Sequence, residues 1–145
     1  MKKNHMKMRE IVVLRVVSRA LIPFILLFGL YVQFHGDFGP GGGFQAGVIF
    51  AAALILYGLI FGLDAVQRVY TPFAVEMCMA TGLILYAGTG FVSFMKNLNY
   101  LDYDVFGSHG QHYGILLIEA GVGITVASTM VMIFYSFAGR GRVTK

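Results

Sequence analysis

Two glutamates, Glu76 and Glu119, lie inside long apolar stretches of the sequence. Neither has a basic residue within four positions, so no neighbour on the same helical face neutralises its charge. An acid in such a stretch faces a cavity, finds a partner elsewhere or stays protonated. Both glutamates are therefore candidates for an ion or proton path. The alternative is a neutral or hydrogen-bonded glutamate at a subunit contact.

His112 precedes Glu119 by seven residues, which places both side chains on one face of a helix. The two residues are about 10 Å apart along the helix axis, so a water molecule or another side chain must bridge them. The pair is a candidate for two stations of a proton path entering from the outside, the alternative being an interfacial histidine. Glu76 lies four residues after Pro72, near a helix start where the helix dipole already favours a carboxylate.

The composition excludes a soluble domain. Of the 145 residues, 57% are hydrophobic and only 12% are charged, and a soluble chain of this length cannot bury that much apolar surface. The sequence predicts an all-α integral membrane protein. The basic residues lie beside apolar spans, which favours a membrane over nucleic acid as the reason for the net charge of +4.

Stretches without charged residues locate the membrane spans. They run between Arg19 and Asp37, Asp37 and Asp64, Glu76 and Lys96, and Glu119 and Arg140. A bilayer core needs about 20 helical residues. The sequence thus predicts one domain, residues 1–145, with four transmembrane helices at about 13–35, 44–64, 73–95 and 113–138.

The basic residues also predict the orientation. Ten of the eleven lie in the N-terminal segment, the second loop or the C-terminal tail, and only Lys96 lies in another loop. Basic residues favour the cytoplasmic side, so we expect both termini in the cytoplasm and a multi-pass location in the cell membrane.

The sequence lacks the usual motifs for phosphate binding, metal binding and nucleophilic catalysis. No lysine follows the glycines as a phosphate-binding loop requires. His109 and His112 form a weak metal-ligand pair without a supporting cysteine, and the single Cys78 offers no cluster. No nucleophile has a nearby base. We therefore expect no catalytic residues, no metal site and no cofactor.

The first loop carries the most specific pattern. It contains His35-Gly36-Asp37 and then Pro40-Gly41-Gly42-Gly43-Phe44-Gln45-Ala46-Gly47, directly followed by an apolar helix. This pattern resembles the signature of the B subunit of Mrp/Mnh-type multisubunit Na+/H+ antiporters, the MnhB/MrpB family. The family also has homologous subunits in complexes of the energy-converting membrane hydrogenase type. Two departures occur, since Gly36 to Gly39 lengthen the motif and Ala46 replaces a common glycine.

The resemblance implies a non-catalytic membrane subunit that scaffolds other polytopic subunits of an antiporter complex. Such a complex transports Na+ and H+, and lining part of the ion path is a further expected role. Two alternatives stay open at this point. The chain would otherwise belong to a redox-driven ion pump of the membrane hydrogenase type, or serve as a purely structural membrane adaptor.

The loop itself is expected to form a subunit contact. Irregular backbone enters a bilayer only where protein covers it. We therefore expect the loop to pack against a neighbouring subunit and to dip inward, with Phe44 as its anchor. The residues assigned to this contact are His35, Asp37, Pro40, Gly41, Gly42, Gly43, Phe44 and Gly47.

Overall fold

The computed structural model describes residues 12–36, 39–96, 99–101 and 110–140, and all regular elements within them are helices. Four of these helices are long and apolar enough to cross a membrane, which confirms the predicted all-α membrane fold. Which side of the membrane holds the termini stays a prediction. The five helices are α1 (Val12–Phe34), α2 (Gly43–Phe61), α3 (Leu63–Val69), α4 (Pro72–Met95) and α5 (Gly110–Gly139).

The short helix α3 was not predicted. The second span was expected to run to residue 64, but α2 ends at Phe61 because Gly62 adopts a φ of 100°, which interrupts the helix. Gly62 also caps the start of α3, which carries Asp64 in its first turn and Arg68 in its last. Both charges complement the helix dipole.

The long helices pack as two hairpins that are joined mainly by the contact between α2 and α5. α1 packs on α2, α4 packs on α5, and α2 packs on α5 between them. α1 makes only a small contact with α5, and α1 is the least buried of the four spans. The α1–α2 loop and the α3 segment consequently lie at opposite ends of α2. We call them the motif end, where Gly43 begins α2, and the core end, where Phe61 finishes it.

The core end is held by side chains. A buried cluster joins α2, α3, α4 and α5 through Ala51, Leu63, Val66, Val75, Val131 and Tyr135. The Tyr135 hydroxyl donates to the carbonyl oxygen of Tyr70 at 2.7 Å, and the Tyr70 hydroxyl bonds the Ser128 hydroxyl at 3.0 Å. Burial, with a smaller contribution from hydrogen bonding to Cys78, raises the pKa of Tyr70 to about 12, so this hydroxyl stays protonated at neutral pH.

Helix α5 is longer than predicted. It begins at Gly110, not at residue 113, and its 30 residues correspond to about 45 Å. A hydrocarbon core is about 30 Å thick, so α5 exceeds the thickness of one bilayer. The extra turn at its start places Glu119 nine residues into the helix, about 13 Å from its first residue.

Candidate functional site at the glycine loop

The loop between α1 and α2 folds back onto the end of α1. The Gly42 amide donates to the Val32 carbonyl oxygen at 3.1 Å, and the Gly39 amide donates to the His35 carbonyl oxygen at 3.2 Å. Gly42 has a φ of 112°, a left-handed conformation that a side chain disfavours. At Gly41 a Cβ atom would lie 2.7 Å from the Val32 oxygen, so this tight return needs glycine there.

The carboxylate of Glu119 occupies the space that these glycines leave open. A Cβ atom at Gly36 would lie 2.6 Å from Oε1 and 2.7 Å from Oε2 of Glu119. A Cβ atom at Gly42 would lie 2.9 Å from the same Oε1. The carboxylate is therefore seated between the two ends of the loop, although it lies more than seventy residues away in the sequence.

The first turns of α2 approach α5 backbone to backbone. A Cβ atom at Gly43 would overlap the carbonyl oxygen of Glu119. One turn further, a Cβ atom at Gly47 would lie 2.6 Å from the carbonyl oxygen of Gly123, and Ala46 beside it is fully buried. Glycines at this spacing let two helices approach closely, as in membrane helix pairs. The motif thus fixes α2 directly against the turn of α5 that carries Glu119.

The other motif residues face outward or lie beside this contact. The His35 ring stacks on Tyr31 with ring centroids 5.1 Å apart, and Pro40 is exposed. Phe44 is 60% exposed next to the buried Gly43, so its ring is available to a neighbouring molecule. Asp37 lies outside the described residues. The expected anchor role of Phe44 stays a prediction.

The glycine loop does not reach the end of the α4–α5 hairpin at which α4 ends and α5 begins. Gly82 of α4 packs on Gly121 of α5, where a Cβ atom on Gly121 would lie 2.8 Å from the Gly82 oxygen. Beyond Gly82, α4 continues for thirteen residues to Met95, about 20 Å. The α1–α2 hairpin therefore ends part-way along the other two helices. The glycine loop and Glu119 lie beside the middle of α4 and the first third of α5.

The three predicted ion-path residues are not brought together. His112 stays exposed on the first turn of α5, where its ring meets the edge of Tyr113 with centroids 5.7 Å apart. Glu76 is exposed in α4, next to Val75 of the core end. Val75 packs in the same cluster as Val131, which is twelve residues, or about 18 Å, from Glu119 along α5. Of the three, Glu119 is the residue whose contact with the motif the structure describes.

A carboxylate inside an apolar helix can in general exchange a proton or pair with a cation. In the described part of the chain, no group of three or more His, Cys, Asp and Glu side chains is placed to hold a metal ion.

Comparison with known proteins identifies the family of the chain. A family model described as "Domain related to MnhB subunit of Na+/H+ antiporter" matches residues 13–132, which include the whole glycine loop, Glu76 and Glu119. The chain belongs to the MnhB family. This membership supports a transporter component in a multisubunit antiporter complex, in the cell membrane, and confirms the family resemblance of the first loop.

Individual relatives agree with the family model. A protein from Staphylococcus haemolyticus named as antiporter subunit mnhB2 is 34% identical over 134 residues, which cover 88% of this chain and 94% of the relative. Proteins of the same name from Staphylococcus epidermidis and Staphylococcus aureus are 30% and 31% identical, with the same coverage. The similarity to these MnhB relatives therefore extends over nearly their full length.

Sequence reasoning missed several polar residues inside the bundle. Gln33 near the end of α1 packs over Gly123 of α5, where a Cβ atom would lie 2.8 Å from its Oε1. A glutamine within an apolar span was the available signal. The Tyr70–Ser128 hydrogen bond joins residues 58 positions apart, and no sequence pattern announces it.

Proposed function

We propose that this MnhB-family chain acts in a Na+/H+ antiporter complex both as a scaffold and as part of the ion path. Its glycine loop contacts a neighbouring subunit, and Glu119 exchanges a proton or Na+ at that contact. Glu76 and His112 are secondary candidates, because the described contacts with the loop come from Glu119. The observation that carries the proposal is the Glu119 carboxylate seated against Gly36 and Gly42.

The position of Glu119 supports a role in ion transfer. The side chain lies about 13 Å from the start of a membrane-length helix, and it is partly rather than fully buried. A carboxylate at that depth is costly unless it serves a path or a partner. The Glu119 side chain fits at this position because the neighbouring residues Gly36, Gly42 and Gly43 have no side chains.

The position of the loop supports a role in assembly. The loop has irregular backbone beside the middle of α4 and the first third of α5, where the outward side chains are mostly apolar. Irregular backbone at membrane depth is stable only where protein or a water-filled cavity covers it. A neighbouring subunit that covers the loop would also meet the exposed ring of Phe44.

Glu119→Gln tests the ion-path role. The amide keeps the size of the carboxylate and removes its charge and its exchangeable proton. We expect the complex to assemble normally, with Na+-dependent proton exchange in membrane vesicles reduced about tenfold or more across the pH range. Glu76→Gln tests the secondary candidate in the same assay, and we expect a smaller loss because Glu76 is exposed and packs beside the core end, away from the loop.

Complex assembly and Na+-dependent exchange, measured together, distinguish an ion path from a purely structural role. Normal exchange by both variants at every pH would reject the ion path and leave a structural adaptor. Loss of the complex in Glu119→Gln, followed by recovery with Glu119→Asp, would assign the carboxylate to assembly instead. Co-purification of the wild-type chain with flavin, nickel or iron proteins would place it in a redox-driven complex.

A further inference from the structure

Two arginines of α1 are held at one aromatic ring at the core end. Arg15 and Arg19 are four residues apart, so their side chains leave the same face of α1. Their Cζ atoms lie 5.7 and 5.6 Å from the centroid of the Phe61 ring, within the range of a cation–π interaction. The Phe61 ring packs in turn on the Tyr57 ring, with centroids 4.8 Å apart. The last turn of α2 therefore fixes where both positive charges lie.

Both guanidinium groups keep hydrogen-bond donors for another molecule. A cation–π contact attracts the charge of the group and provides no acceptor oxygen for its five N–H donors. Among the described residues, no carboxylate forms an ion pair with Arg15 or Arg19. Two like charges four residues apart on a helix repel each other. An anion bound by both guanidinium groups offsets this repulsion and accepts their hydrogen bonds.

The same face of α1 borders a cavity of about 430 Å³. Its described lining consists of Val12, Arg15, Val16, Arg19 and Ala20, so the two guanidinium groups lie among aliphatic side chains. A cavity of this volume is typical of sites for small ligands. The lining therefore suits a ligand that has both an anionic group and an apolar part.

The cavity lies at the edge of the membrane-spanning part of the bundle. Phe61 is the last residue of α2, and the exposed charged residues Asp64 and Arg68 follow on α3. The arginines that contact Phe61 thus lie where the apolar span ends, which is the level of the phospholipid headgroups. Further along α1, Phe24 and Leu27 continue the face of the arginines and are exposed. An acyl chain can cover these two side chains.

We propose that Arg15 and Arg19 bind the phosphate group of an anionic phospholipid at the core end. Arginine suits this ligand because its planar set of donors can bond two phosphate oxygens at once. An acyl chain of the same lipid lies along α1 over Phe24 and Leu27. Basic pockets beside membrane helices bind anionic headgroups in this way. The inference does not rest on the proposed function, since it involves neither the glycine loop nor Glu119.

Lipid titration of the full chain in mild detergent, followed by native mass spectrometry, tests the site. We expect phosphatidylglycerol to bind roughly tenfold more tightly than phosphatidylcholine, and the double substitution Arg15→Gln with Arg19→Gln to remove that preference. The matched control is Arg68→Gln with Arg140→Gln. It removes the same charge from exposed positions on α3 and just after α5, and we expect it to keep the preference for phosphatidylglycerol.

A second variant distinguishes the site from positive charge in general. Phe61→Leu keeps both arginines and removes the ring that places them, so we expect phosphatidylglycerol binding to weaken about threefold. Phe137→Leu, at an exposed position of α5, is the control and should bind like wild type. Thermal unfolding followed by circular dichroism checks that each variant is folded.

Four results would overturn the proposal. Equal binding of the two lipids by wild type would show only unspecific lipid around the protein. Equal losses in the two double variants would show only attraction to net positive charge. Displacement of phosphatidylglycerol by inorganic phosphate at equal concentration would identify a soluble phosphate as the ligand. Binding by the isolated chain but not by the complete complex would assign the arginines to an acidic group of a partner subunit.

Discussion

The two ends of α2 are stabilised in different ways. At the motif end, the backbone of α2 contacts the backbone of α5, and glycines provide the room. At the core end, valine and tyrosine side chains fill the space between four helices, and two hydroxyl hydrogen bonds join α5 to Tyr70. The motif end also holds the ionisable Glu119. The core end holds only neutral groups in its buried cluster.

This difference predicts different responses to mutation. Backbone contacts cannot yield, so adding a single carbon atom at the motif end forces two helices apart. Side-chain packing loses stability gradually as atoms are removed. We therefore expect the motif end to tolerate no side chain and to govern transport, while the core end governs stability.

The largest effect is expected for Gly43→Ala. Its new Cβ atom would overlap the Glu119 carbonyl oxygen, so α2 must shift, at a cost of about 3 kcal/mol. Thermal unfolding followed by circular dichroism in detergent, with the yield of assembled complex, measures the loss. Gly88→Ala is the control, because a Cβ atom there meets nothing within 4 Å. Equal stability of Gly43→Ala and Gly88→Ala would show that the backbone contact at the motif end tolerates a side chain.

A smaller effect is expected at the core end for Val131→Ala. The removed carbon atoms leave a cavity in the buried cluster, which should lower the unfolding free energy by about 2 kcal/mol. Exchange per folded complex should remain close to wild type well below the unfolding temperature. The control, Ile133→Ala, changes a half-exposed side chain on the same helix. Loss of exchange at full stability in Val131→Ala would contradict the assigned division of roles.

The smallest effect is expected for Tyr135→Phe. This change removes only the hydroxyl that donates to the Tyr70 carbonyl oxygen, so the unfolding free energy should fall by about 1 kcal/mol. Tyr113→Phe, on the exposed first turn of α5, serves as the reference in the same melting experiment. If Tyr135→Phe lowered the unfolding free energy as much as Gly43→Ala, the core end would be as sensitive to substitution as the motif end.

Most of the helical architecture could be predicted from the sequence, and part of it could not. Four spans follow from hydropathy, since a bilayer requires about 20 apolar residues for each crossing. The break at Gly62 and the short α3 were missed because seven residues give too weak a periodic signal. The earlier start of α5 was missed because glycine and polar residues open it.

The candidate site was predicted as separate pieces. Glu119 was chosen for its charge in an apolar span, and the glycine loop for its resemblance to a family motif. Nothing in the sequence joined them. Glu76 and His112 were further candidates for the ion path, and the structure describes a contact with the loop for Glu119. The contact of two α1 arginines with the Phe61 ring was also invisible, because it depends on which helices pack together.

The sequence by itself determined that this protein lies in a membrane, how many helices cross it and which family it resembles. Those properties follow from the preference of apolar residues for the bilayer and from local sequence patterns, both of which can be read from the sequence. Only the tertiary structure decided that Glu119 is seated on the glycine loop and that two α1 arginines meet at the Phe61 ring. Such contacts arise from how helices pack, where a missing Cβ atom in one helix makes room for a residue far away in sequence.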